Sequence, residues 1–153
     1  MTRAADYAVR AIVHLASLPD RSRASLGELA TGVDVSPAFL SKVLQRLVRA
    51  GLIRSRRGKC GGFELSRDIA SVSLLDVLHA LDSVPTLNAC LAPRGCARSA
   101  TCGAHVVWLE AQGRLRDVLA GASLARIARL SRARRRPAAP RGRGAGRDLD
   151  EHR

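Results

Sequence analysis

Three cysteines, Cys90, Cys96 and Cys102, stand with five residues between each pair, and His105 follows with two residues between. Four donors of the kind that bind soft metals thus fall within one short stretch, in a chain that has 4 Cys and 4 His altogether. Thiolate sulfur and imidazole nitrogen form the ligand set for zinc or for an iron–sulfur cluster. The stretch from Leu87 to Gly103 is rich in Ala, Gly, Pro, Asn and Ser, so it reads as a loop. A loop of that length inside a compact domain needs a reason to be there, and a bound metal or cluster supplies one. Cys60 has no companion at metal-ligand spacing and is read as incidental. The carboxylates Asp76 and Asp82 lie on different helical faces with no nucleophile or phosphate loop beside them, so no enzyme is expected.

At 153 residues the chain accommodates one domain with an appended arm. The hydrophobic content of 46% can build a core, and aromatic residues at only 3% favour closely packed small helices. No apolar run reaches the length of a membrane span, and Met1-Thr2-Arg3-Ala4-Ala5-Asp6 lacks the order of a signal peptide. A cytosolic location is expected, where thiols stay reduced and clustered cysteines point to metal rather than to disulfides.

The net charge of +13 implies a polyanionic partner, and its placement says more than its size. No acid occurs between Asp34 and Glu64, whereas Lys42, Arg46, Arg49, Arg54, Arg56, Arg57 and Lys59 all fall in that window. A second basic run begins at Arg132, where Pro and Gly accompany the arginines. That composition predicts a disordered tail over 132–153.

The elements that must carry these residues follow from periodicity and capping. Apolar positions from Ala5 to Ala16 predict a helix over Ala4–Leu18. Ser25 and Glu28 form a capping box for a short helix, Leu26–Ala30, and Gly32–Val35 reads as the turn after it. Ser36 caps a third helix with Pro37 at its first position. Phe39, Leu40, Val43, Leu44, Leu47 and Val48 are expected to face inward on it. Ser41, Lys42, Gln45, Arg46 and Arg49 take the opposite side, and Gly51 ends it. Leu52–Ser55 and Gly62–Leu65 read as two strands around a basic tip, Arg56 to Gly61. Ser73 opens another helix, Ala104–Leu119 is a longer one, and Ser123 caps a last helical piece.

A short helix, a turn, a basic capped helix and a basic hairpin, in that order, make a winged helix-turn-helix. The third helix is therefore expected in a major groove of double-stranded DNA, with Ser36, Ala38, Ser41 and Lys42 nearest the base edges and Arg46 beside them. Arg56, Arg57 and Lys59 are expected on phosphates or in the adjacent minor groove. The fold class is mostly α, with a two-stranded β-wing followed by a long helix. The expected divisions are a DNA-binding domain at 1–82, a cysteine-rich loop at 83–105, helices at 106–131 and the tail at 132–153.

The run Arg56-Arg57-Gly58-Lys59-Cys60-Gly61-Gly62-Phe63 resembles the wing of the IscR/NsrR-type regulators, dimeric bacterial winged-helix proteins. The likeness extends over Val35–Leu40, over Leu47–Leu52 and through the cysteine loop, and spans residues 3–130. It implies an iron–sulfur cluster, control of promoter binding by the state of that cluster, and a homodimer formed through the Ala104–Leu119 helix on a pseudo-palindromic site. His105 matches the branch that holds a 2Fe–2S centre by three cysteines and a histidine. Asp6, in Asp6-Tyr7-Ala8-Val9-Arg10-Ala11, matches the branch in which an aspartate from the partner subunit completes a 4Fe–4S centre. A 2Fe–2S centre is the preferred reading. The rivals are a winged-helix regulator with structural zinc at the same ligands and a low-specificity basic nucleic-acid-binding protein.

Overall fold

The computed structural model describes residues 2–19, 22–58, 61–66 and 68–135. Six α-helices and one two-stranded antiparallel sheet follow in the order α1 (Arg3–Leu15), α2 (Leu26–Val33), α3 (Pro37–Arg49), β1 (Ile53–Arg56), β2 (Gly62–Leu65), α4 (Leu74–Ala80), α5 (Gly103–Gly121) and α6 (Leu124–Arg135). A single 3-10 turn, Ala89–Leu91, interrupts the stretch between α4 and α5. The chain is mostly α with a β-wing, as its sequence predicts.

Every helix except α5 begins where a side chain satisfies one of its first free N–H groups. Thr2 caps α1, and Ser36 caps α3 with Pro37 directly after it. Ser25 with Glu28, and Ser73 with Asp76, close reciprocal capping boxes on α2 and α4. Asp76 is thus a structural carboxylate. Helix α2 runs beyond the expected Ala30, because Val33 is buried and extends the apolar face by another turn. Asp34 then ends it in the left-handed region, φ 56°, leaving Val35 and Ser36 as the connection to α3.

The core lies where α1, α2, α3 and α4 converge. Ile12, Leu29, Leu40, Leu44, Leu47 and Leu78 are completely enclosed there. The expectation that Phe39 points inward does not hold: it is 37% exposed and meets Tyr7 edge-on, with ring centroids 5.7 Å apart. Leu40, the next residue, takes the inward position of that turn, so the Phe39 ring lies to the side and meets Tyr7 instead of entering the interior.

The strands pair in the register Ile53 with Leu65 through Arg56 with Gly62, so β1 lies one residue later than Leu52–Ser55. Leu52 is buried, and its N–H is bonded to the Leu47 carbonyl at 3.0 Å while its own carbonyl accepts the Ser66 N–H at 3.2 Å, so it links the end of α3 to the sheet. Arg56, assigned above to the hairpin tip, is the last rung of the sheet. Ala24 and Phe63 exchange two backbone hydrogen bonds, 3.1 and 2.8 Å, and tie β2 to the segment before α2. Gly62, φ 146°, permits this approach, since a Cβ there would stand 2.6 Å from the Ala24 carbonyl oxygen. The wing is thereby fixed to the helical body.

Helix α5 differs from the others in having no buried residue along 19 positions. Past it the chain returns to the body. Leu124 bonds through its N–H to the Val72 carbonyl at 2.8 Å, and Leu124 and Ala128 of α6 are buried. The backbone of α6 is helical to Arg135, four residues into the expected tail, and 136–153 lie outside the described residues.

Leu44 of α3 is inaccessible and joins the core to the helix with the basic face. Leu44→Ala is expected to lower unfolding free energy by about 2–5 kcal/mol, the range for truncating an enclosed leucine, as read from denaturant titration.

Candidate nucleic-acid interface and metal centre

Helix α3 separates its side chains by chemistry. Leu40, Val43, Leu44 and Leu47 are buried, while Ala38, Lys42, Gln45 and Arg49 are exposed and Ser41 and Arg46 are half-buried. Ser36 uses its hydroxyl oxygen to accept the Phe39 N–H at 3.4 Å. Lys42 and Arg46 lie one turn apart on a single stripe. Arg46 is engaged: its guanidinium bonds the carboxylate of Asp82, just beyond α4.

In the wing, Arg56 and Arg57 are exposed, and Lys59 and Cys60 lie outside the described residues. Arg56 bonds through Nε to Glu64 at 3.1 Å, and Arg23 bonds the other Glu64 oxygen through its own Nε at 2.7 Å. The Glu64 side chain is only 13% exposed between them. Arg23 first, then Arg56, holds its carboxyl below the ordinary value. Sequence reasoning marks Glu64 as the border of the acid-free window but does not pair it with Arg23 and Arg56. The available signal was Glu64 on the return strand, diagonally across from Arg56 and within reach of a long side chain.

The cysteines occupy three settings. Cys90 is half-buried on the 3-10 turn, Cys96 is exposed in the loop, and Cys102 is the residue before α5. All three are free thiols. His105 stands in the first turn of α5, where its N–H bonds the Cys102 carbonyl at 3.0 Å. Its Nδ1 is buried and has no hydrogen-bond partner. Asp6 is on α1, half exposed and paired with Arg10 at 2.9 Å. Among the described residues no three His, Cys, Asp or Glu side chains converge closely enough to hold a metal ion. The donor chemistry fits a thiolate-bound metal or cluster, and the orphaned imidazole nitrogen fits a ligand role, while the loop leaves the donors apart. Four of the expected ligands, Cys90, Cys96, Cys102 and His105, therefore share one loop and the helix that follows it, but they do not form one pocket.

Gln112, seven residues beyond His105 on α5, was also missed from sequence. Its amide accepts the Leu87 N–H and donates to the Pro85 carbonyl, both at 3.0 Å, and so staples the start of the cysteine loop to α5. The side chains of Val106, Val107, Leu109 and Val118 project from the same helix and are half to two-thirds exposed.

Residues 1–130 match the profile of Rrf2, described as iron-dependent transcriptional regulators. The chain belongs to the Rrf2 family. One relative, the HTH-type transcriptional regulator ORF2 of Azotobacter vinelandii, is 30% identical over 125 residues, covering 82% of this chain and 76% of its own. Among solved structures, IscR of T. potens superposes with a TM-score of 0.72 at 21% identity, covering 91% of this chain and 93% of that one. CymR, the global cysteine regulator of B. subtilis, superposes with a TM-score of 0.69 at 20% identity over 85% and 96%. These two show a shared fold. No helix among the described residues is long and apolar enough to cross a membrane.

Because Glu64 is held in its charged form, its contribution to stability is present above the ordinary carboxylate pKa of 4.5 and is lost as pH falls through the lowered value. Glu64→Gln is expected to lower Tm at neutral pH, with the gap to the wild-type chain closing as pH falls below 4.5, as read from a plot of Tm against pH.

Proposed function

We propose that this Rrf2-family regulator is a homodimeric repressor whose binding to promoter DNA is set by an iron–sulfur cluster held by Cys90, Cys96, Cys102 and His105. The observation that carries the reading is the buried Nδ1 of His105, left without a partner, three residues past Cys102. An imidazole nitrogen in that position is a ligand waiting for a cation, and the three free thiols of the adjoining loop supply the soft remainder of the set. A cluster bound there supplies redox chemistry and reactivity toward nitric oxide. His105 favours a 2Fe–2S centre; the 4Fe–4S alternative requires Asp6 of a second subunit, which would have to give up its bond to Arg10.

The DNA half of the proposal rests on the two-sided α3. Its N-terminal residues Ser36, Ala38, Ser41 and Lys42 reach base edges, and Arg46 reaches the phosphates beside them. Arg56, Arg57 and Lys59 extend the contact along the backbone from a wing that Ala24 and Glu64 hold in place. Dimerisation accounts for α5, on which Val106, Val107, Leu109 and Val118 are left largely uncovered by the described residues. A two-fold dimer reads a pseudo-palindrome, one half-site per subunit.

Anaerobic purification followed by visible spectroscopy with iron and sulfide analysis tests the cluster. A brown protein with both elements is expected, whereas a colourless zinc protein would overturn the reading in favour of a structural metal. Cys90→Ser, Cys96→Ser and Cys102→Ser should each lose the chromophore, and Cys60→Ser should keep it. His105→Ala should shift the spectrum while Asp6→Ala does not; the opposite pattern would assign the fourth position to Asp6.

DNA binding divides in the same way. Lys42→Ala should alter preference among sequences by about 1–3 kcal/mol if it makes a bidentate-quality base contact. Arg57→Ala should weaken target and scrambled duplexes alike and flatten the slope of log affinity against log salt by about 0.9 per subunit. Removing 136–153 should act as Arg57→Ala does. If that deletion erased target preference and Lys42→Ala preserved it, the protein would be a low-specificity basic binder.

A further inference from the structure

The pair formed by Arg46 and Asp82 belongs neither to the ligand set nor to the base-reading turn, yet it touches the DNA-facing stripe of α3. Asp82 follows α4 at φ 45°, a left-handed conformation that Asp and Asn tolerate better than other side-chain-bearing residues. Its neighbours hold it there. The Asp82 N–H bonds the His79 carbonyl at 3.0 Å, and the Ser83 N–H bonds that of Leu78 at 2.8 Å. The buried Ser83 hydroxyl shares a 2.7 Å hydrogen bond with Thr2, the cap of α1. Three residues on, Gln112 fastens Pro85 and Leu87. The backbone at Asp82 is therefore fixed by bonds to α4 and to the root of the cysteine loop, none of which involves Arg46.

Its partner lies one turn beyond Lys42 on the stripe expected to meet DNA. A carboxylate and a phosphate present equivalent oxygens to a guanidinium, so one Arg46 head cannot serve both in the same geometry. The Asp82 side chain is 89% exposed, so the pair is solvent-screened and weak enough to exchange. We propose that Asp82 is a positioning residue that competes with DNA phosphate for Arg46, so that DNA binding proceeds by exchange of the carboxylate for phosphate. This rests on the reading that α3 enters DNA. It adds a brake at the point where the cysteine loop leaves the DNA-binding domain.

The test uses the full chain and its Arg46→Gln, Asp82→Asn and double variants, with a duplex of unrelated sequence titrated at several salt concentrations. Asp82→Gly serves as a second removal of the carboxylate, since glycine accepts the same backbone angle. Arg46→Gln should flatten the salt slope by about 0.9 per subunit, which shows Arg46 on phosphate in the complex. Asp82→Asn and Asp82→Gly should raise affinity by up to about fivefold per subunit, the scale of an exposed ion pair, with the slope unchanged. In the Arg46→Gln background Asp82→Asn should have no further effect. The proposal is overturned if Asp82→Asn raises affinity equally without Arg46, if neither Asp82 variant raises it, or if Arg46→Gln leaves the slope unaltered. Failure of the wild-type chain to bind any duplex would instead overturn the DNA-binding reading itself.

Discussion

The division of α3 into an enclosed face and a basic face is the constraint on which the remaining structure depends. Leu40, Leu44 and Leu47 have no accessible surface, and enclosing three leucines requires helices on two sides. Helices α1 and α2 supply them, with Ile12 and Leu29 equally enclosed. Burial of that face turns Lys42, Gln45 and Arg49 toward solvent without any further design. The hydrophobic effect, which has no direction of its own, thus orients the charged side chains that have one.

Orientation of the wing comes from a different source. Two short strands make few apolar contacts and are marginal in isolation. The hairpin is joined to the body by the backbone bonds between Ala24 and Phe63, and by Glu64 between Arg23 and Arg56. The first needs the missing Cβ of Gly62. The second places an acid inside a basic surface, where it gives up some positive potential and in return fixes where Arg56 and Arg23 lie. Arg56 is thereby presented from a defined position on the sheet.

The region from Asp82 to Gly121 follows neither rule. Helix α5 has no fully buried residue, and the cysteine loop against it is held at its beginning by Gln112 and at its end by the start of α5. Its middle, around Cys96, is exposed. A segment so arranged stands apart from the core of its own chain, as a part that must be completed from outside would. The Asp82 root gives it a physical connection to α3 that passes through a single ion pair.

Much of this was legible in the sequence because it depends on neighbours in the chain. Capping residues at Ser25, Ser36 and Ser73 act within three positions, and the apolar period of α3 repeats every turn, so the helices and the winged order followed from local physics. The spacing of Cys90, Cys96, Cys102 and His105 likewise named a ligand chemistry before any coordinates. What the sequence left open were contacts between residues far apart along it. Phe39 turned out to cover Tyr7, Arg46 to meet Asp82, Arg56 and Arg23 to share Glu64, and Gln112 to hold Pro85 and Leu87. Each depends on where two elements lie relative to one another, which periodicity and composition do not encode. Local propensity and patterning determined which elements form and which face of each is apolar. Only packing in three dimensions decided which charges are paired, because a long side chain finds its partner by distance in space and not by distance in sequence.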